Sequence, residues 1–175
     1  MAKLRKMLGS IDDPSIVAMM RLIETQSKAT LVKWSVDYAD QHFLGIYEKA
    51  YADDSRLRDI ISAVRDYQEG TKTLKEVKPI VKEANQIAKE AEDDPAAQAA
   101  ARAIATACST IQTPTGALGF TFYGAAAAVY DQAGLEEGQA VYDAMAAKEL
   151  ERILGLLQEA VIPGEENPVK INWNC

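Results

Sequence analysis

Apolar residues recur three and four positions apart along most of the chain, the spacing that lines one face of an α-helix. Ile16, Met19, Met20 and Ile23 follow Pro14, with Asp12 and Asp13 at the end where the helix dipole favours negative charge, and predict a short helix over residues 15–24. Leu31, Trp34, Tyr38, Ala39, Leu44, Ile46 and Tyr47 predict one longer helix over residues 27–51, bent or weakened at Gly45. Leu57, Ile60, Ile61, Val64 and Tyr67 form the clearest stripe, over residues 56–69, with Gly70 at the C-cap position. The pair Thr73 and Glu76 has capping-box spacing and opens a helix whose apolar face runs from Leu74 through Val77, Val81, Ala84 and Ile87 to Ala91. Pro79 is the misfit in it. Lacking an amide hydrogen, it predicts either a kink or a true start nearer Lys78.

Asp94-Pro95 and Thr113-Pro114 each read as an N-cap followed by a first-turn proline, opening helices over residues 96–112 and from Pro114 to about residue 132. A last helix over residues 136–160 offers Val141, Tyr142, Met145, Leu150, Ile153, Leu154 and Leu157 for burial, and the segment after Pro163 reads as an extended tail. Residues 103–130 contain no Asp, Glu, Lys, Arg or His. A membrane helix needs about 20 continuous apolar residues, whereas Ser109, Thr110, Gln112, Thr113, Pro114, Thr115 and Gly116 interrupt this run. A helix apolar on all sides is otherwise surrounded by protein, so the run predicts two central helices. Ala97, Ala101 and Ala105, then Gly124 and Ala128, would let their backbones approach closely. The expectation is an all-α, single-domain bundle (residues 1–175) of about seven helices with a buried alanine-rich central pair and an extended C-terminal tail.

Composition agrees with that picture. Of 29 alanines, 21 lie between Ala84 and Ala147, while glycine and proline together number 16, a balance that favours helix. A chain of 175 residues buries roughly 70% of its unfolded surface, so it needs no disulfide or metal to hold a core. Nineteen Lys and Arg against 26 Asp and Glu leave a net charge of -7, which argues against nucleic acid or an anionic membrane as partner and favours a basic one. The single histidine, His42, excludes HExxH and the paired Glu-x-x-His ligands of a di-iron bundle. Cys108 and Cys175 form no CxxC, so neither a metal nor a cofactor is expected; two reduced cytosolic thiols and a Cys108–Cys175 bridge are both open. The first ten residues hold no apolar run of signal-peptide length, which points to the cytoplasm.

Few constellations suggest chemistry. His42 has no identifiable nucleophile or cleft, leaving it a structural or surface residue. Asp53, Asp54, Arg56 and Arg58 place two carboxylates and two guanidiniums at a helix start, either as caps and surface ion pairs or as a polar recognition surface. Trp34, Asp37 and Tyr38 fall within about one turn, either as core aromatics or as an aromatic anchor beside a carboxylate. Phe120, Tyr123 and Tyr130 share one helical face and Leu118, Phe122 and Val129 another, so a small-ligand or enzymatic pocket near Phe122 and Tyr123 is an alternative, though no phosphate loop, GxGxxG or GxSxG accompanies it. Self-association as a structural protein is a second alternative. The acidic run Glu90, Glu92, Asp93 and Asp94 reads as a solvated helix end able to attract a basic protein.

The stretch Ser109-Thr-Ile-Gln-Thr-Pro-Thr-Gly-Ala-Leu-Gly-Phe-Thr-Phe-Tyr-Gly-Ala closely resembles a bacterial family of immunity proteins of polymorphic toxin systems. The segment from Asp94 to Ile104, Trp34-x-x-Asp37-Tyr38-Ala39, Asp54-x-Arg56-x-Arg58 and the ending Asn167-Pro-Val-Lys-Ile-Asn-Trp-Asn-Cys175 extend the similarity in order along nearly the whole chain. The resemblance implies an all-helical protein that protects its producer by binding a cognate toxin, with no catalysis of its own. Relatives often carry histidines where this chain has Asn85, Gln112 and Gly116, so any imidazole-dependent role there is not expected here.

Overall fold

The computed structural model describes residues 3–174. Cys175 lies outside the described residues, and with it the question of a bridge to Cys108, which is itself buried. Eight α-helices are present among the described residues: α1 (Pro14–Ile23), α2 (Lys28–His42), α3 (Leu44–Ala50), α4 (Arg56–Gln68), α5 (Leu74–Glu90), α6 (Pro95–Ser109), α7 (Gly116–Ala133) and α8 (Gln139–Ala160). Four starts follow directly from the cap chemistry. Asp13, Ser27, Thr73 and Asp94 each accept a hydrogen bond from a first-turn backbone N–H, and Pro14 and Pro95 occupy first-turn positions that need no donor.

The alanine-rich pair forms the centre. α6 packs on α7 and is also enclosed by α2, α3, α4 and α5, and its Ala97, Ala100, Ala101, Ala103 and Ala107 are fully buried. On α7, Ala117, Phe120 and Ala125 to Ala127 are equally inaccessible. Among the described residues no helix is long and apolar enough to cross a membrane; the uncharged run is mostly core, with Gln112 and Thr113 of its turn exposed. The turn between the pair is tight. Gly116 sits against α6 so closely that a Cβ there would lie 2.7 Å from the Thr106 carbonyl oxygen, and the Thr113-Pro114 pair expected as a cap instead forms this turn, α7 beginning at Gly116 without a side-chain cap.

Two further expectations are corrected. The helix predicted over residues 27–51 breaks at Phe43, not Gly45, and Phe43 ends α2 and begins α3. Its buried ring enters the space left by the missing side chain of Gly124 on α7, where an added Cβ would fall 2.3 Å from Phe43 Cζ. Seating that ring, beside Phe120 and Tyr38 at centroid distances of 6.4 and 5.5 Å, sets the elbow. Of the two outcomes expected at Pro79, a true start nearer Lys78 is overturned: α5 begins at the Thr73 cap and runs through the proline. The Lys75 carbonyl deprived of its partner lies on an exposed turn where water can satisfy it.

The tail after α8 is extended, as expected, and fastened down. The buried Gln26 side chain donates from Nε2 to the Ile162 carbonyl and accepts from the Ile162 N–H, while Val169 N–H donates to the Gln26 carbonyl. The Glu165 carboxylate accepts from the Ser27 N–H and from the Thr30 hydroxyl at the start of α2. Val169, Ile171 and Trp173 then pack on the core.

Candidate functional site

The candidate residues fall on two parts of the surface. At one end of the bundle, the loop between α3 and α4 meets the turn between α5 and α6. Asp54 opens α4 by accepting from the Arg56 N–H at 3.0 Å, and its carboxylate also accepts from Arg56 Nε and Nη2 at 2.9 and 2.8 Å and from the Tyr47 hydroxyl at 2.7 Å. The Arg56 guanidinium thus holds the Asp54 carboxyl far below the usual carboxylate range. Arg56 Nη2 continues to Glu90 on α5 at 2.7 Å. Tyr51 stacks on Tyr47 with ring centroids 5.0 Å apart, and its hydroxyl is pushed above its ordinary pKa by burial, with the charges of Asp94 and Asp93 adding to the effect. Asp53 is exposed beside a 480 Å³ surface hollow that also involves Tyr51, Asp54 and Arg56. The result is an acidic end: Arg56 bridges Asp54 and Glu90, Asp53 lies beside the same hollow, and Asp93 and Asp94 act on the neighbouring Tyr51.

The second region lies along the seam of α2 with α4. Arg58 and Arg65, seven residues apart and so on one face of α4, reach toward α3 and α2. Arg58 pairs with Glu48. Arg65 donates from Nη2 to Asp37 at 2.9 Å and from Nη1 to Asp40 at 2.8 Å. Lys33 adds a second cation to Asp37 at 2.6 Å. Burial opposes charge on Asp37, but the hydrogen bonds from Lys33 and Arg65 outweigh it and lower its pKa. Trp34 is only 6% exposed, its ring edge-on to Phe120 at 5.1 Å, and its Nε1 has no acceptor within reach. One edge lines a mainly apolar 400 Å³ cleft between α2 and the end of α8, with Asp37, Tyr38, Gln41, Leu156 and Ile162.

The structure therefore joins Asp54 to Arg56 and sets Asp53 beside them, while Asp37 belongs to the α2–α4 seam, Arg58 pairs across to α3, and Trp34 belongs to the core at the seam's edge. Sequence reading saw Glu90, Asp93 and Asp94 only as a separate acidic run; their meeting with Asp53 and Asp54 depends on how α5 packs against α4. It missed Tyr51, Arg65 and Glu149. Glu149 is 5% exposed, accepts from the Tyr38 hydroxyl at 3.2 Å and pairs with Arg152 at 2.6 Å. Its signal was present, since it falls seven residues after Tyr142 and four before Ile153 on the buried stripe of α8. His42 stacks on Tyr38 at 4.2 Å; burial lowers its pKa, and the nearby Glu149 charge partly restores it. Phe122 and Tyr123 are partly buried against the core, and the N-terminal segment lies over Phe122, whose carbonyl accepts from Leu8 N–H. Neither lines the clefts described here. Among the described residues, no group of three or more His, Cys, Asp or Glu side chains could hold a metal ion.

Asn85, Gln112 and Gly116, singled out in the sequence, lie near one another. Asn85 and Gln112 line the same open cleft as Ser109, and Gly116 faces Ser109 and Thr110.

The fold is thus an all-α bundle wrapped around an alanine-rich helix pair, with its polar residues spent on caps, surface ion pairs and one acidic end. Residues 21–156 match the family model described as Imm-5 like putative immunity protein, and the chain belongs to that family. The matched region runs from the last turn of α1 into α8, so the fastened tail lies beyond it. Neither a curated protein nor a solved structure matches the chain.

Proposed function

We propose that the protein neutralises a cognate bacterial toxin by binding it directly in the cytoplasm of the producing cell, with no catalysis of its own. Membership of the immunity-protein family over residues 21–156 carries the reading. The acidic end supports a basic partner: exposed carboxylates attract a cationic surface and speed encounter through electrostatic steering. In this reading Asp53 and Asp54 meet the toxin, with Arg56 holding Asp54 and Glu90 in place, and Asp37, Arg58 and the cleft edge of Trp34 extend the contact along the α2–α4 seam.

Co-expression with toxin domains encoded beside the gene in its host tests the proposal. Rescue of growth, together with a complex isolated at equal stoichiometry, is expected. Charge reversal by Asp53→Lys and Asp93→Lys should slow association and steepen toxicity at low expression. Protection by amounts far below one immunity protein per toxin would point to catalysis and sink the binding mechanism; failure to rescue from every neighbouring toxin would sink the immunity reading itself.

A further inference from the structure

A cationic pocket lies between the N-terminal segment and α6. Lys3, Arg5, Lys6 and Arg102 line a 290 Å³ cavity in which Glu92 is the one carboxylate. This is a reversal of local sign on a chain of net charge -7. None of the four cations here has an ion-pair partner among the described residues, a state shared with Arg21 and with several lysines elsewhere, and what sets these four apart is that they line one cavity.

The cations come from separate parts of the chain and are held in register. The Tyr130 hydroxyl on α7 donates to the Arg5 carbonyl at 2.7 Å, and three residues later Leu8 is buried with its N–H donating to Phe122. Those contacts pin the segment across the first half of α6, from which the half-buried Arg102 projects into the same cavity. Asp94 already caps α6 by accepting from the Ala97 N–H at 3.0 Å, so attraction rests on the side chains rather than on free amides.

We propose that this pocket binds a small oligophosphate anion. Two guanidiniums offer planar, bidentate donors matched to phosphate oxygens, and two ammoniums add compact charge. A concave cavity near the lower end of the usual small-ligand range favours a compact polyanion over an extended acidic protein segment. The site is independent of the toxin reading, and Glu92, the one carboxylate in the lining, repels any anion bound there and so weakens binding.

The test is calorimetric titration of the full chain with sodium diphosphate in phosphate-free buffer at constant ionic strength, with a parallel thermal melt. A single saturable site is expected, weakened at least tenfold by Arg102→Gln and by Arg5→Gln, tightened several-fold by Glu92→Gln, and unchanged by Lys148→Gln on α8. Arg5 is exposed, so its variant keeps the test decisive if Arg102→Gln fails to fold. Adenosine triphosphate binding no tighter than inorganic triphosphate identifies the oligophosphate itself as the ligand, and tighter binding than inorganic triphosphate identifies a nucleotide; both support the site. Heat that never saturates, an equal response from Lys148→Gln, or preference for an oligo-glutamate peptide over diphosphate would overturn it.

Discussion

Replacing Gly124 by alanine sets two opposing effects against each other, and the structure says which prevails. In a helix interior alanine is favoured over glycine by about 1 kcal/mol. At Gly124, however, the new Cβ would stand 2.3 and 2.5 Å from Phe43 Cζ and Cε2, where carbon atoms normally sit about 3.5–4.0 Å apart. Phe43 is fully buried between Tyr38 and Phe120 and also forms the α2–α3 elbow, so its ring has little room to retreat. Overpacking of this kind costs about 1–3 kcal/mol. Gly155 on α8 supplies the control, because nothing lies within 4 Å of a Cβ built there. Gly155→Ala should stabilise by up to about 1 kcal/mol, and the difference between the two variants isolates the steric cost at roughly 1–3 kcal/mol. Urea unfolding followed by circular dichroism measures both, with unchanged slopes confirming a comparable denatured state. Phe43→Leu should reduce the penalty of Gly124→Ala in a double-mutant cycle. Equal stabilisation by Gly124→Ala and Gly155→Ala would refute the wedge.

Other parts of the structure make separate predictions. Tyr38→Phe removes a donor from the buried Glu149 carboxylate and should destabilise by about 1–3 kcal/mol in the same assay; an unchanged midpoint would count against the bond. Burial pushes the Cys108 thiol up to about 12, so in a Cys175→Ser background its labelling by a thiol reagent should proceed only as fast as the protein opens. Hydrogen bonds from Thr30 first, then Ser27, lower the Glu165 pKa, so its contribution to tail attachment is present above the ordinary carboxylate range and lost as pH falls through the lowered value. Amide exchange at Ile162 and Val169, compared at each pH with Glu165→Gln, should therefore converge between protein and variant at acid pH; a constant gap would exclude Glu165 as the titrating clasp.

Local signals carried much of the fold. The caps expected at Thr73 and Asp94 and the stripes they introduce occur where the side-chain chemistry placed them, because each depends on neighbours within one or two turns, whereas Asp13 and Ser27 cap helices whose starts were read from other signals and Thr113 caps none. The Phe43 break could not be read that way. Its cause is Gly124, which is remote in sequence, and a glycine within a run of alanines signals close approach without naming what approaches. The acidic end was half legible: Asp53-Asp54 and Glu90 to Asp94 were visible as two separate runs, but only the packing of α5 on α4 makes them one surface. Trp34 had two readings from its residue type alone, and the space beside Phe120 puts most of its ring in the core while leaving an edge at the cleft.

The clasp between the tail and α2 also bears on biosynthesis. Gln26 finds its side-chain partner 136 positions later in the chain, and the amide of Ser27 waits still longer for Glu165. Domains fold as the chain is made, from the N-terminal side onward, yet the entrance to the second helix cannot be secured until the ribosome has delivered almost everything described here. A nascent chain halted in the last turn of α8, just past residue 156, would carry the whole family-matched region and still lack that closure.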